Sequence, residues 1–421
     1  MTSLTATAPR AAQARPSSRS LAALCGLNFL LADVRDGLGP FLGIFLIGRG
    51  WGTDTIGYVM TIGGIAGMLA TTPLGALADA TRAKRMMVAV CAVLVIAASL
   101  GILFFPNFPV VAASQIGTGI AGAAIGPAIA GLTLGLVGQA GLAHQLGRNE
   151  AWNHGGNGVA AALSGFFGYE YGLVAVFVLM TVLAAGSLTA LLFIRPEEID
   201  HATARGLEHA KSGEAEKPSG FRTLLKNRRL LILAATTMLF NFGNGAMLPL
   251  LGQRDASDHL FDPAAYTAAT VVIAQLTMIP VALLSARVAG RRGYYYVLLA
   301  ALVALPIRGA LAGLWSNPYA FVPVQMLDGV GAGVLGFAVP GLVAEIMRGS
   351  GRVNVSLGAV MTVQGIGASL SPAIGGFVAA RYGFEAAFLV LGAFPIPALV
   401  LWLATGALFR KKPAGVAGGA R

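Results

Sequence analysis

The chain has 421 residues, of which 56% are apolar and only 11% charged, with a mean hydropathy of +0.74. A soluble domain carries about 25% charged residues, so this composition excludes a globular protein with a fully solvated surface. The net charge of +11 would suit a nucleic-acid binder, but the placement of the cations assigns them to membrane topology instead.

In chain order, residues 1–19 are rich in Ser, Thr and Arg and read as a disordered cytoplasmic tail rather than a cleaved targeting segment. Crossing a bilayer takes about 20 apolar residues. Such runs fall at 20–48, 55–78, 86–105, 110–137, 151–169 and 173–194, then at 229–252, 264–287, 293–313, 319–346, 354–380 and 384–408. A polar linker, 195–228, separates six from six, and 409–421 forms a second cytoplasmic tail. The predicted fold is an all-α membrane protein: twelve transmembrane helices in two six-helix bundles, 20–194 and 229–408. With both termini in the cytoplasm, 24 of the 29 Lys and Arg fall on that side and only Arg49, Arg254 and Arg381 on the other. That asymmetry sets the orientation and leaves no cation excess for nucleic acid. Cys25 and Cys91 both lie in apolar runs, which argues against a disulfide framework or a zinc site.

Span 1 contains "LADVRDGLGP", with Asp33, Arg35 and Asp36 followed by Gly37, Gly39 and Pro40. Three unpaired charges at the centre of a spanning helix would cost on the order of 8–10 kcal/mol. A broken, charged helix is tolerable only where it borders protein or water, so these residues are assigned to substrate or ion coupling. In span 5, Asn153, His154 and Asn157 fall on one face at helical spacing. His154 can titrate near neutral pH and is a candidate proton carrier. Span 7 offers Asn241 and Asn244. Gln115, Gln275, Arg308, Gln325, Asp328 and Gln364 are further polar residues inside spans and candidate cavity linings.

The halves align with each other at an offset of about 210 residues. "QIGTGIAGAAIG" at Gln115 meets "QMLDGVGAGVLG" at Gln325, "GFFGYEYG" at Gly165 meets "GFVAARYG" at Gly376, and "GPFLG" at Gly39 meets "LPLLG" at Leu248. Arg35 then pairs with Asn244, so the span 1 charges belong to one half only. Duplicated halves mark transporters whose site lies between the repeats near midplane. The 6+6 layout, the long central linker and "PLGALADATRAKR" between spans 2 and 3 resemble the major facilitator superfamily, over nearly the whole chain. The resemblance implies that fold and a conformational latch at Gly75, Asp79, Arg82, Lys84 and Arg85. Two features depart from the family's patterns. Gln115 stands where many proton-coupled members carry Arg in span 4, and span 5 lacks the antiporter Gly-Pro, while a similar string, "GASLSPAIGG", lies in span 11 instead.

No metalloprotease, nucleophile-elbow or phosphate-loop motif occurs, so neither an enzyme nor an ATP-driven pump is expected, and no cofactor or bound metal. The reading is an ion-gradient-driven secondary transporter, proton-coupled, moving a small organic solute by alternating access with efflux slightly favoured. It would sit as a monomer in a plasma membrane of the bacterial inner type. The alternatives are a divalent-metal transporter, with Asp33, Asp36 and His154 as ligands, and a non-transporting receptor or scaffold.

Overall fold

A computed structural model describes residues 16–35, 38–201, 203–205, 227–315, 317–347 and 353–410. Among them there is no strand, and almost every residue is helical. Span 1 consists of two helices, Ser18–Arg35 and Pro40–Ile47. Spans 2 and 3 are Thr53–Ala80 and Lys84–Phe104. Spans 4 and 5 form one 64-residue helix, Phe108–Tyr171, interrupted where Gly138 leaves helical geometry. Span 6 is Val174–Phe193. Span 7 is again two helices, Arg228–Asn244 and Met247–Asp258. Spans 8, 9 and 10 are Pro263–Arg292, Tyr294–Leu314 and Phe321–Ile346. Spans 11 and 12 share Val353–Ala393, broken at Gly383, and span 12 continues as Pro395–Ala404.

Among the described residues, nine stretches are each long and apolar enough to cross a membrane. Span 1, divided at its break, and span 5 are not among these, and spans 11 and 12 count there as one. The first helix begins at Ser18, inside the segment expected to be tail. Residues 139–150, expected as a loop, are helical and continuous with span 5. Glycine-rich "GQAGLAHQLG" reads as punctuation, but here it packs as helix.

The repeat is visible in the backbone. Arg35 closes the first helix of span 1 and Asn244, its repeat mate, closes the first helix of span 7. Gly172 (φ 79°, ψ 169°) and Gly383 (φ 87°, ψ 165°) turn the chain between spans 5 and 6 and between spans 11 and 12. Only glycine adopts that region without strain, and the two are mates in "GFFGYEYG" and "GFVAARYG". Each half buries its own apolar core. One is built on Leu24, Leu27, Val95, Ile125 and Phe177, the other on Leu233, Leu302, Val343, Phe388 and Trp402.

The start of the central linker folds back on the first half. The Asp200 N–H donates to the Gly135 carbonyl at 2.9 Å, and Thr203 caps onto the Asp200 carboxylate at 2.8 Å. Glu198 accepts from the Ser17 N–H at 2.9 Å and its hydroxyl at 3.0 Å, tying the entry of span 1 to the exit of span 6. The Ser17 N–H, with the Ser20 and Ser17 hydroxyls and Arg195, holds this carboxyl below the usual carboxylate range. A depressed folded-state value stabilises above the ordinary pKa of about 4.3, and that contribution is lost as pH falls through the folded value. Glu198→Gln is therefore expected to lower the unfolding temperature slightly at pH 7. In thermal melts the gap between wild type and variant should close as the pH falls below the ordinary carboxylate range.

Candidate transport site

The halves touch on the face that is poor in Lys and Arg. Span 2 crosses span 11 there. Gly57 lies against the Pro372 carbonyl and the Gly376 Cα, and Gly376 against the Thr53 carbonyl, so closely that neither position has room for a Cβ. The Ala373 N–H donates to the Thr61 hydroxyl at 2.9 Å across the same seam. Span 5 crosses span 8 in the equivalent way, with Gly165 and Gly168 set against Ala268 and Ala264. The second helices of spans 1 and 7 complete the closure through Gly43 and Gln253. Towards the basic face the same spans part. Span 2 is exposed at Leu69, Thr71, Thr72 and Leu77, span 8 at Leu283 and Leu284, and span 11 at Met361. The space between the halves on the side of the basic loops is not closed by these contacts.

Two residues singled out from the sequence meet across that space. His154 Nδ1 of span 5 lies 3.1 Å from Gln275 Oε1 of span 8. An amide oxygen only accepts, so Nδ1 carries the proton in this bond. Asn153, Asn157, Gln115 and Gln364 are partly buried and bond to no other described side chain, which leaves their amides available to a ligand. Asn241 donates to the Thr237 carbonyl of its own helix at 2.9 Å. Asp33 is partly buried and makes an interaction of its own. Asp36 lies outside the described residues, and for Arg35 only the helical backbone is described.

Three more of the predicted residues form one cluster inside the second half. Arg308 of span 9 is 0% exposed. Its Nη1 donates to Asp328 Oδ1 of span 10 at 2.7 Å and to Asn244 Oδ1 of span 7 at 2.6 Å. Charge pairing satisfies the aspartate and ties spans 7, 9 and 10 together at the break in span 7. Gln325, one turn from Asp328, is fully buried, and neither of its amide atoms has a partner among the described residues.

Sequence reasoning missed part of the first half's polar wall. A cavity of about 100 Å³ between spans 1, 4 and 5 is lined by Asn28, Asn149, Glu150 and Asn153 among apolar side chains. Gln145 donates to Asn149 at 2.9 Å, and Asn149 to the Thr133 hydroxyl at 2.9 Å. The signal was present: Gln145, Asn149, Asn153 and Asn157 recur every four residues, one helical stripe. Its first two members were hidden by the loop assignment.

Of the expected latch residues, Lys84 is 1% exposed and donates to the Ala78 and Thr81 carbonyls at 2.6 and 2.9 Å. Its stem crosses Gly131 of span 4. Arg85 donates to the Leu191 carbonyl at the end of span 6 at 2.9 Å. Both cations thus satisfy carbonyls left open at helix C-termini. Arg82 is exposed, Gly75 faces open space, and Asp79 is described only as part of the helix.

The Major Facilitator Superfamily description matches residues 24–354. Uncharacterized MFS-type transporter Rv2456c of Mycobacterium tuberculosis strain H37Rv is 43% identical over 378 residues, 90% of each chain. Its counterpart in strain CDC 1551 matches equally. Among solved structures, the nucleoside transporter NupG superposes with a TM-score of 0.74 at 18% identity, over 93% of this chain and 99% of its own. A bacterial homologue of the human lysosomal transporter Spinster, inward-facing and unoccupied, superposes at 0.68 and 14% identity, over 94% and 99%. Twelve spans in two repeats and these matches together have one reading: the chain belongs to the major facilitator superfamily.

Proposed function

We propose that this transporter couples the movement of a small organic solute to a proton gradient by alternating access, with export the favoured direction. Asp36 and Asp33 on the broken span 1 take the proton, and His154 serves as relay or second site. Both termini and the basic loops face the cytoplasm of a bacterial-type cell, so the described state is open inward.

The observation that carries the proposal is the His154–Gln275 bond at 3.1 Å. It joins a titratable side chain of one half to the other half, so a motion of one half against the other acts on this bond. Protonating His154 makes both ring nitrogens donors and places a charge between the halves, which ties the proton to the groups that meet there. One elementary charge crossing 100 mV gains about 2.3 kcal/mol, enough for roughly fifty-fold accumulation. One imidazole and several amides around the space, with the two carboxylates that the sequence puts on span 1, suit a polar or cationic organic solute.

A thermal-shift screen of the purified protein tests the assignment, with cationic drugs, sugars, organic acids, divalent metals and nucleosides as probes. Nucleosides join the screen because the fold neighbour NupG is a nucleoside transporter. A solute that stabilises wild type but not Asp36→Asn is the expected result. A solute that stabilises both equally would remove span 1 from the site.

A further inference from the structure

The second helix of span 7 carries a carboxylate that the transport site does not use. Asp255 is 3% exposed, and neither carboxylate oxygen has a partner at hydrogen-bond geometry among the described residues. It borders a separate cavity of about 40 Å³ on the face where the halves are closed, walled by Leu251, Tyr266, Trp315, Asn317 and Phe321. That is room for a few water molecules. An unpaired carboxylate taken out of water neutralises or finds a cation.

The charged and titratable groups around it do not supply that cation. Arg254, next in sequence, is spent elsewhere: on the Ala312 carbonyl at 3.0 Å, on Glu385 at 3.3 Å and on Asp258 at 3.5 Å. Arg49 of the first half stacks over the Phe45 ring at 5.0 Å. Asp258 and Asp262 add negative charge around Asp255, Tyr266 beside it is neutral, and His259 and the Phe261 amide are the groups that offset them. Asp262 is engaged as the cap of span 8, accepting from the Ala265 N–H at 2.9 Å. Meanwhile the same helix turn forms part of the closure between the halves. Gly252, one turn before Asp255, would bring a Cβ within 3.2 Å of Ile44 and 2.9 Å of the Thr267 hydroxyl. Gln253 packs over Gly43.

We propose that Asp255 is a proton-binding site of the outer closure, occupied while the halves are shut on the basic-poor face and emptied as they part. The neutral acid sits buried beside this small cavity, behind the closed seam, at little cost. The carboxylate does not, and losing the proton favours the state in which water reaches it. This site is distinct from the span 1 carboxylates and stands whether or not they carry the coupling proton.

The test uses the full-length protein in nanodiscs. Infrared difference spectra of wild type and Asp255→Asn at mildly acidic pH should show one protonated-carboxyl band that only wild type has. Spin labels at Tyr171→Cys and Tyr382→Cys, exposed repeat mates on the closed face, report the gap between the halves; the native Cys25 and Cys91 are buried. Raising the pH should enlarge the open population by up to about tenfold per pH unit, the limit for one coupled proton. Asp255→Asn should stay closed throughout, while Asp255→Glu keeps a pH response. An identical band in Asp255→Asn, or a pH response equal to wild type, overturns the site. Closure by sodium at alkaline pH in wild type but not in Asp255→Asn would also overturn it, because the bound ion would then be sodium. The infrared arm reads the proton directly, so its outcome is separable from any failure of the transport reading.

Discussion

Gly57→Leu is expected to abolish transport and hold the halves apart on the basic-poor face. Gly57 sits where spans 2 and 11 cross, against the Pro372 carbonyl and 3.3 Å from the Gly376 Cα once a Cβ is added. These neighbours are helix backbone, which cannot swing aside as a flexible side chain would. Overpacking a tight contact costs about 1–3 kcal/mol. Here the cost falls only on the closed state, because the opposite state separates these helices. A differential of that size shifts the two populations by roughly 5–150-fold. Ser369, buried beside Gly64 in the same seam, supplies the readout. As Ser369→Cys it should react with an impermeant thiol reagent at least about fivefold faster in the Gly57→Leu background. Gly290→Leu is the control, since a side chain there meets open space. Wild-type transport by Gly57→Leu would mean that the seam is not a gate.

Removing Arg308 should be the most destabilising single change inside the second half. Breaking a buried ion pair by deleting one partner costs about 3–5 kcal/mol, because the other charge is left unpaired. Arg308→Met strands the Asp328 carboxylate and the Asn244 side-chain oxygen, both now held by Nη1 within 2.7 Å. The double variant Arg308→Met/Asp328→Asn removes the orphan charge and should recover most of the loss. Buried pairs exchanged for neutral groups are often close to neutral in stability. Thermal unfolding in detergent, followed by tryptophan fluorescence, separates the cases. A single variant as stable as wild type would contradict the pairing. A double variant no better than the single would show that the charge is not what the arginine compensates.

How far the sequence foretold all this varied with the kind of signal. Length and hydropathy carry the spans directly, and the positive-inside asymmetry orders the loops. The break in span 1 was legible because charges, glycines and a proline coincide at 33–40, and its mate at Asn244 because the repeat transfers it. Pairings across helices were not legible. Arg308, Asp328 and Asn244 each stood out as polar residues inside spans, but nothing in a linear pattern says that span 9 turns its arginine onto span 10. The same holds for His154 and Gln275, whose contact depends on the packing of one half against the other. Residues 139–150 were misread for a local reason. Glycines and polar residues argue for a loop, and only tertiary contacts keep that stretch helical. Asp255 was passed over similarly: "GQRDASD" reads as a polar connection, yet it is the last two turns of a helix wedged into the closure.

The central claim is that the charges on broken span 1 couple solute movement to protons. Its most direct measurement is proton flux into proteoliposomes on addition of the solute found by the thermal-shift screen, for wild type, Asp33→Asn and Asp36→Asn. The account predicts a solute-dependent proton flux in wild type that Asp36→Asn abolishes, with solute exchange at equal concentrations retained. Proton-coupled, gradient-driven transport by Asp33→Asn and Asp36→Asn at the wild-type rate would contradict it.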